Sequence, residues 1–153
     1  PTATPRPTSI TARVLSADSY FDKGKEYFDT ENWSMAIEEF TLAIGLQFRL
    51  NDVYFYRGYA YNEPGQFRNA IADLTKAIQL DPDDSVYYGN RGNSYFGLGQ
   101  YQNAVTDYSK AIQLSSKFAR AYYNRRLAYF ELGQYSLAAA DKTKACSLDD
   151  KYC

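Results

Sequence analysis

Four cation–anion pairs recur along this chain at one spacing. Lys23, Arg57, Arg91 and Arg125 stand 34 residues apart, and Glu39, Asp73, Asp107 and Asp141 follow them at a constant distance of sixteen. Arginine presents a planar fork of donors that a carboxylate accepts in two parallel bonds. One chemistry open to such a set is a charged ladder that recognises a ligand. The other is an ion pair within or between neighbouring elements that fixes their register, and the strict periodicity favours this second reading. Each pair would add little net stability, but removing one partner of a partly buried pair is costly.

Little else in the chain points to catalysis. There is no His, which removes the commonest general base and metal ligand. Two Cys without His cannot complete a zinc site unless carboxylates join them. Asp83-Asp84 and Asp149-Asp150 stand where helix caps are expected. No nucleophile has a base nearby, and no glycine-rich loop follows a strand. The sequence therefore predicts no catalytic residue, no metal and no cofactor. A net charge of −1 gives no reason to expect nucleic acid or a charged membrane surface as partner. No apolar run approaches the roughly 18 residues that span a bilayer. Cys146 and Cys153 would lie about 10 Å apart on a continuous helix, too far to bridge. A helix ending near Leu148 would let the tail fold back and close a disulfide, implying an oxidising compartment; two free thiols in a cytoplasmic protein is the other reading.

The elements that must position these residues come from the same period. Offset by 34 residues, four ungapped segments align: 17–50, 51–84, 85–118 and 119–152. Gly24, Gly58 and Gly92 share a slot; so do Tyr27, Tyr61, Tyr95 and Tyr129; so do Ala36, Ala70, Ala104 and Ala138, and Ala43, Ala77, Ala111 and Ala145. A fixed period of this length marks a repeat array. Within the third unit Tyr88, Arg91, Gly92, Tyr95 and Phe96 follow helical spacing, Gly97-Leu98-Gly99-Gln100 breaks it, and Ala104, Val105, Tyr108, Ala111, Ile112 and Leu114 form a second apolar stripe. Each unit thus reads as a helical hairpin, with Gly92 facing Ala104 and Ala111 so that two helices approach closely. Rings such as Tyr95, Tyr101 and Tyr108 would fill the space between hairpins. One hairpin cannot bury both faces, so stability must come from stacking.

This pattern resembles the tetratricopeptide repeat family over residues 17–152. The residues that carry the likeness are Tyr88, Gly92, Tyr95, Gly99, Tyr101, Ala104, Tyr108 and Ala111, with Pro82 from the preceding unit. The resemblance implies an all-α, right-handed superhelix of four antiparallel hairpins, with first helices lining a concave groove. It also implies that the groove binds a peptide or helix of a partner protein, and no catalytic activity. By the family's geometry the inward slots hold Asp18, Phe21, Asp22 and Lys25; Asp52, Phe55, Tyr56 and Tyr59; Val86, Gly89, Asn90 and Asn93; and Arg120, Tyr123, Asn124 and Leu127. Asn90 and Asn124 share the slot whose amide often bonds a bound peptide's backbone, an amide being both donor and acceptor. Phe55, Tyr56, Tyr59, Tyr123, Lys25 and Arg120 would select side chains. The lysine–asparagine–arginine cluster with which chaperone-binding members hold a C-terminal carboxylate is incomplete: Asn90 and Arg120 fit, but Phe55, Tyr59 and Asn124 occupy its other slots.

Several departures predict local differences. Glu31 replaces the turn glycine of the first unit, and Phe48 its terminal proline. Pro64 should shorten the first helix of the second unit. Arg126 replaces the glycine of the fourth and should splay that hairpin unless its stem turns outward. Lys142 replaces Phe40, Leu74 and Tyr108 in a column expected to face the next hairpin, which suggests a polar outer face closing the array. Residues 1–16, PTATPRPTSITARVLS, are Pro/Thr-rich and expected to be a flexible leader or stalk, with Ile10, Val14 and Leu15 able to dock on the first helix. The sequence thus predicts a non-enzymatic interaction module; a self-assembling element joined through hairpin ends or exposed aromatics is the alternative. The leader and the Cys pair lean towards an extracytoplasmic or surface-tethered location, with the cytoplasm as alternative.

Overall fold

The structure is a computed structural model and describes residues 16–47 and 49–153. The expectations for the leader, for docking by Ile10, Val14 and Leu15, and for Phe48 lie outside the described residues. Among the described residues eight α-helices follow in order: α1 (Ala17–Asp29), α2 (Trp33–Gly45), α3 (Leu50–Asn62), α4 (Phe67–Leu80), α5 (Ser85–Gly97), α6 (Tyr101–Leu114), α7 (Ala119–Glu131) and α8 (Tyr135–Leu148), ending in a 3-10 turn, Asp150–Tyr152. Successive pairs form antiparallel hairpins, and each second helix packs on the first helix of the next pair. First helices also touch one another directly (α1 on α3, α3 on α5, α5 on α7), whereas second helices do not among the described residues. The first helices therefore line the inside of an all-α superhelix.

The two alanine columns do what small residues do at a hairpin seam. Ala36, Ala43, Ala70, Ala77, Ala104, Ala111 and Ala145 are fully buried, and Ala138 nearly so. The glycine column differs from the expectation. A Cβ on Gly92 would sit 2.7 Å from the Tyr108 ring, on Gly24 2.5 Å from Phe40, and on Gly58 2.9 Å from Leu74. Gly92 thus faces Tyr108 rather than Ala104 and Ala111, because the space left by the missing side chain is filled by a large residue of its own hairpin. Tyr108 accordingly lies inside the hairpin instead of only between hairpins.

Hairpin four keeps the helix packing of the others despite Arg126. It does not splay, because the opposing slot holds Lys142 instead of a ring, and the Arg126 guanidinium turns aside to lie 4.6 Å over Tyr123. Pro64 ends α3 at Asn62, one slot earlier than its counterparts, but α3 begins one slot earlier at Leu50 and keeps 13 residues. The turn glycines Gly65, Gly99 and Gly133 have φ of 81°, 71° and 71°, and Glu31 is forced to 58° in the same slot. A left-handed non-glycine residue costs roughly 1 kcal/mol, so the first hairpin carries strain that the others avoid.

The charged pairs stitch the array. Arg57 Nε and Nη2 donate to Asp73 at 2.6 and 2.8 Å, Arg91 to Asp107 at 2.7 and 2.8 Å, and Arg125 to Asp141 at 2.7 and 2.8 Å. Each third nitrogen, Nη1, reaches back to a hydroxyl of the preceding hairpin: Thr41 at 2.9 Å, Thr75 at 3.1 Å and Ser109 at 2.9 Å. Each guanidinium also lies between two tyrosine rings of its own helix, Arg91 being 5.7 Å from Tyr88 and 5.9 Å from Tyr95. Tyr54 and Tyr61 flank Arg57, and Tyr122 and Tyr129 flank Arg125, in the same way. The hydrogen bond to Asp107 holds Arg91 above its ordinary pKa against the opposing effect of burial, and Asp141 does the same for Arg125. Hairpin one is weaker: Lys23 makes a single 3.4 Å contact with Glu39, whose second oxygen is buried without a partner.

Candidate functional site

The concave face divides into three zones. At the α1–α3 end, Lys25 Nζ lies 5.4 Å over the Tyr56 ring. Tyr56 itself is wedged among Phe21, Phe28 and Phe40 at centroid distances of 5.8, 5.3 and 5.8 Å. It is partly buried against the core of hairpin one, with one edge of its ring still open to solvent as in Phe55 and Tyr59. Tyr59 leans on Phe28 and Trp33. Phe55 stacks against Tyr87 at 5.1 Å. Burial and the charges of Asp84 and Asp52 push the Tyr87 phenol up to about 12, so this floor stays neutral. Phe55 and Tyr59 are likewise partly buried.

The middle zone is polar and lies on α5 and α7. Asn93 Oδ1 accepts two bonds, from the Tyr108 hydroxyl at 2.9 Å and from Asn124 Nδ2 at 2.8 Å. Burial and the nearby Asp107 charge push the Tyr108 phenol far above its ordinary value, so it is a neutral donor at any physiological pH. This arrangement commits one half of each amide. Asn93 Nδ2 and Asn124 Oδ1 make no hydrogen bond among the described residues, leaving a donor and an acceptor side by side.

Asn90 is not part of that surface. It is 2% exposed, and its Nδ2 donates to the Val86 carbonyl at 2.8 Å. Its main-chain carbonyl accepts from Asn62 Nδ2 at 3.2 Å, and the single Ser94 hydroxyl proton lies between Asn62 Oδ1 at 2.7 Å and that carbonyl at 3.1 Å. The Asn90 side chain is thus buried with its amide spent on its own helix, while Asn62 and Ser94 bind its main-chain carbonyl. Asn124, in the same slot one unit later, faces no such pair.

The third zone is cationic and aromatic. Arg120 is exposed, lies 5.9 Å from the Phe118 ring, and is close enough to Tyr59 to oppose the rise that burial and Glu63 impose on that phenol. Tyr123 stacks on Tyr152 at 4.9 Å. A recess of about 330 Å³ here is lined by Lys117, Phe118, Arg120 and Tyr152, together with the Asp149–Lys151 ion pair at 2.9 Å. The tail carrying Tyr152 is tied back by the Cys146–Cys153 disulfide, with Cα atoms 4.6 Å apart. Sequence reading missed two contributors, the Tyr108 hydroxyl and Tyr152. Tyr108 was a visible signal, the one hydroxyl in a column otherwise held by Phe40, Leu74 and Lys142. Among the described residues no cluster of His, Cys, Asp and Glu could hold a metal ion, and no helix is long and apolar enough to cross a membrane.

Hairpins in register, with first helices inward and a glycine–ring seam, define a tetratricopeptide repeat solenoid. The TPR repeat family model matches residues 58–99 and 92–133. The Arabidopsis OM64 TPR domain is 32% identical, with a TM-score of 0.65, covering 66% of this chain and 84% of that one. MamA is 27% identical with a TM-score of 0.84, covering 92% and 82%. The first TPR of Spaghetti (RPAP3), bound to the HSP90 peptide SRMEEVD, is 29% identical with a TM-score of 0.64, covering 65% and 79%. No curated protein matches. The chain belongs to the tetratricopeptide repeat family.

Proposed function

We propose that this chain is a non-enzymatic protein-interaction module that holds an extended peptide or helix of a partner protein along its concave face. The observation that carries this reading is the Asn93–Asn124 pair, whose free donor and free acceptor match the alternating N–H and C=O of a peptide backbone. Phe55, Tyr59 and Tyr123 offer half-buried rings for apolar side chains on either side. Arg120 and Lys117 around the same recess, where Asp149 already pairs with Lys151, favour an acidic side chain or a terminal carboxylate at the α7 end. Lys25 marks the other end. The chaperone-tail mode seen with RPAP3 is not carried over, because Phe55 and Tyr59 stand in two of its polar slots and Asn90 is shut in. The disulfide supports work in an oxidising, extracytoplasmic compartment.

The test is a random peptide library selected on the immobilised chain, with affinities then measured by titration calorimetry. Asn124→Ala is expected to weaken the selected peptides by roughly tenfold, the usual order for an unpaired backbone group. Arg120→Glu is expected to shift selection away from acidic residues. Selected peptides that bind both folded variants as tightly as the parent chain would move the site off the concave face.

A further inference from the structure

Each of the first three hairpins presents a stripe from its second helix to the next first helix: Trp33, Ile37, Phe40 and Ile44, then Phe67, Ile71, Leu74 and Ile78, then Tyr101, Val105, Tyr108 and Ile112. In hairpin four that stripe reads Tyr135, Ala139, Lys142 and Cys146. The disulfide-tied tail occupies only the Cys146 end of it. Phe130 and Tyr135 are 59% and 62% exposed and meet edge to face at 5.3 Å. Together with Arg126, Ala138, Ala139 and Lys142 they line a shallow cavity of about 220 Å³. Arg126 Nε is buried with no hydrogen-bond partner, and Lys142 is exposed and in no ion pair among the described residues.

The opposite end carries the complement. The backward-packing positions of the first helices are Val53, Tyr56 and Ala60 on α3, Tyr87, Asn90 and Ser94 on α5, and Ala121, Asn124 and Ala128 on α7. On α1 the same positions are Ser19, Asp22 and Glu26, with Asp29 one turn on. These three carboxylates are exposed and in no ion pair among the described residues.

The array's own register says what would meet what. Ala128 packs against Ala104, Val105 and Tyr108 of the preceding hairpin. Carried one hairpin further, Glu26 of another chain falls opposite Ala138, Ala139 and Lys142. Size and charge change together: inside the array the small Ala128 faces the Tyr108 ring, whereas at the junction the long acid Glu26 would face the cation Lys142. Tyr56 packs on Phe40, which by the same step sets Asp22 beside Lys142. Arg57 donates to Thr41, whose hydroxyl donates to the Ile37 carbonyl; Thr143 likewise donates to the Ala139 carbonyl at 3.1 Å, free to accept from an incoming Lys23.

We propose that the Phe130–Tyr135–Lys142 edge of hairpin four receives α1 of a second copy, so that chains join head to tail in the stacking register of the repeats themselves. Such an interface is heterologous and propagates until geometry closes a ring. Because it rests on opposite charges at a partly desolvated junction, it weakens in salt. Sedimentation velocity of the full chain over a range of concentrations tests it. The expected result is a mass that rises with concentration at low salt and falls back at high salt. Lys142→Glu should weaken association at least roughly tenfold, and adding Glu26→Lys to the same chain should restore it, since the swapped charges meet again at every junction. Phe130→Ser should weaken association without touching a charge. Both charged positions are exposed, and circular dichroism will show all variants folded. A chain that stays monomeric throughout, association indifferent to Lys142→Glu, or a folded double variant that does not recover would each overturn the proposal.

Discussion

Asp107→Ala lowers the free energy of unfolding by about 3 kcal/mol, the cost expected when one partner of a buried pair is removed. The Arg91 side chain is only 17% exposed and Asp107 only 6%. Deleting the carboxylate strands a guanidinium that has two of its nitrogens aimed at the vacated place. The third nitrogen still holds Thr75, so the arginine cannot swing freely to water. Urea unfolding followed by circular dichroism measures the loss as a fall in midpoint at constant slope. The more open Asp149–Lys151 pair, a single contact at 2.9 Å with side chains 36% and 65% exposed, is the internal control, and Lys151→Ala should leave the midpoint close to where it was. A midpoint unmoved by Asp107→Ala would reduce the whole charged ladder to decoration.

Tyr108→Ala costs about 3–5 kcal/mol, in the range for a fully buried ring replaced by a methyl. Tyr108 is 2% exposed and fills the space opposite Gly92. The converse change, Gly92→Ala, puts a methyl 2.7 Å from the ring and should cost about 1–3 kcal/mol through overpacking. The double variant is the decisive measurement, because the cavity made by one change receives the methyl added by the other. Its loss should therefore be clearly smaller than the sum of the two single losses. Simple additivity would mean that the glycine is kept for some reason other than the ring. Tyr108→Ala also deprives Asn93 of one of its two donors, so peptide affinity and stability should fall together.

The period of 34 carried the fold, because an array repeats its packing and so repeats its residues. Columns such as Ala36–Ala70–Ala104–Ala138 can be read without coordinates. The concave surface was less legible, for a physical reason. Its residues are the ones that vary between repeats, so each has its own neighbours. Asn90 and Asn124 share a slot, yet Asn90 is buried with its amide bonded to Val86 of its own helix while Asn124 reaches Asn93. Tyr56 and Phe55 are adjacent in sequence, yet only the first is drawn into the rings of hairpin one. The hydroxyl column Thr41, Thr75 and Ser109 was as periodic as the acids, but its partner lies across a hairpin boundary, where a reading within single units does not look.

The contrast between the first hairpin and the rest bears on how the molecule comes apart. Three arginines each clamp their own hairpin and the one before it, so the later repeats share their fate. The first hairpin has a lysine with one long contact and a strained Glu31 in its turn. A quasi-linear array unravels from its weakest end, and the single tryptophan, Trp33, sits in that end against Phe28 and Tyr59. Indole emission is thus a private reporter of the opening step, while the tyrosines spread through the later repeats report the bulk.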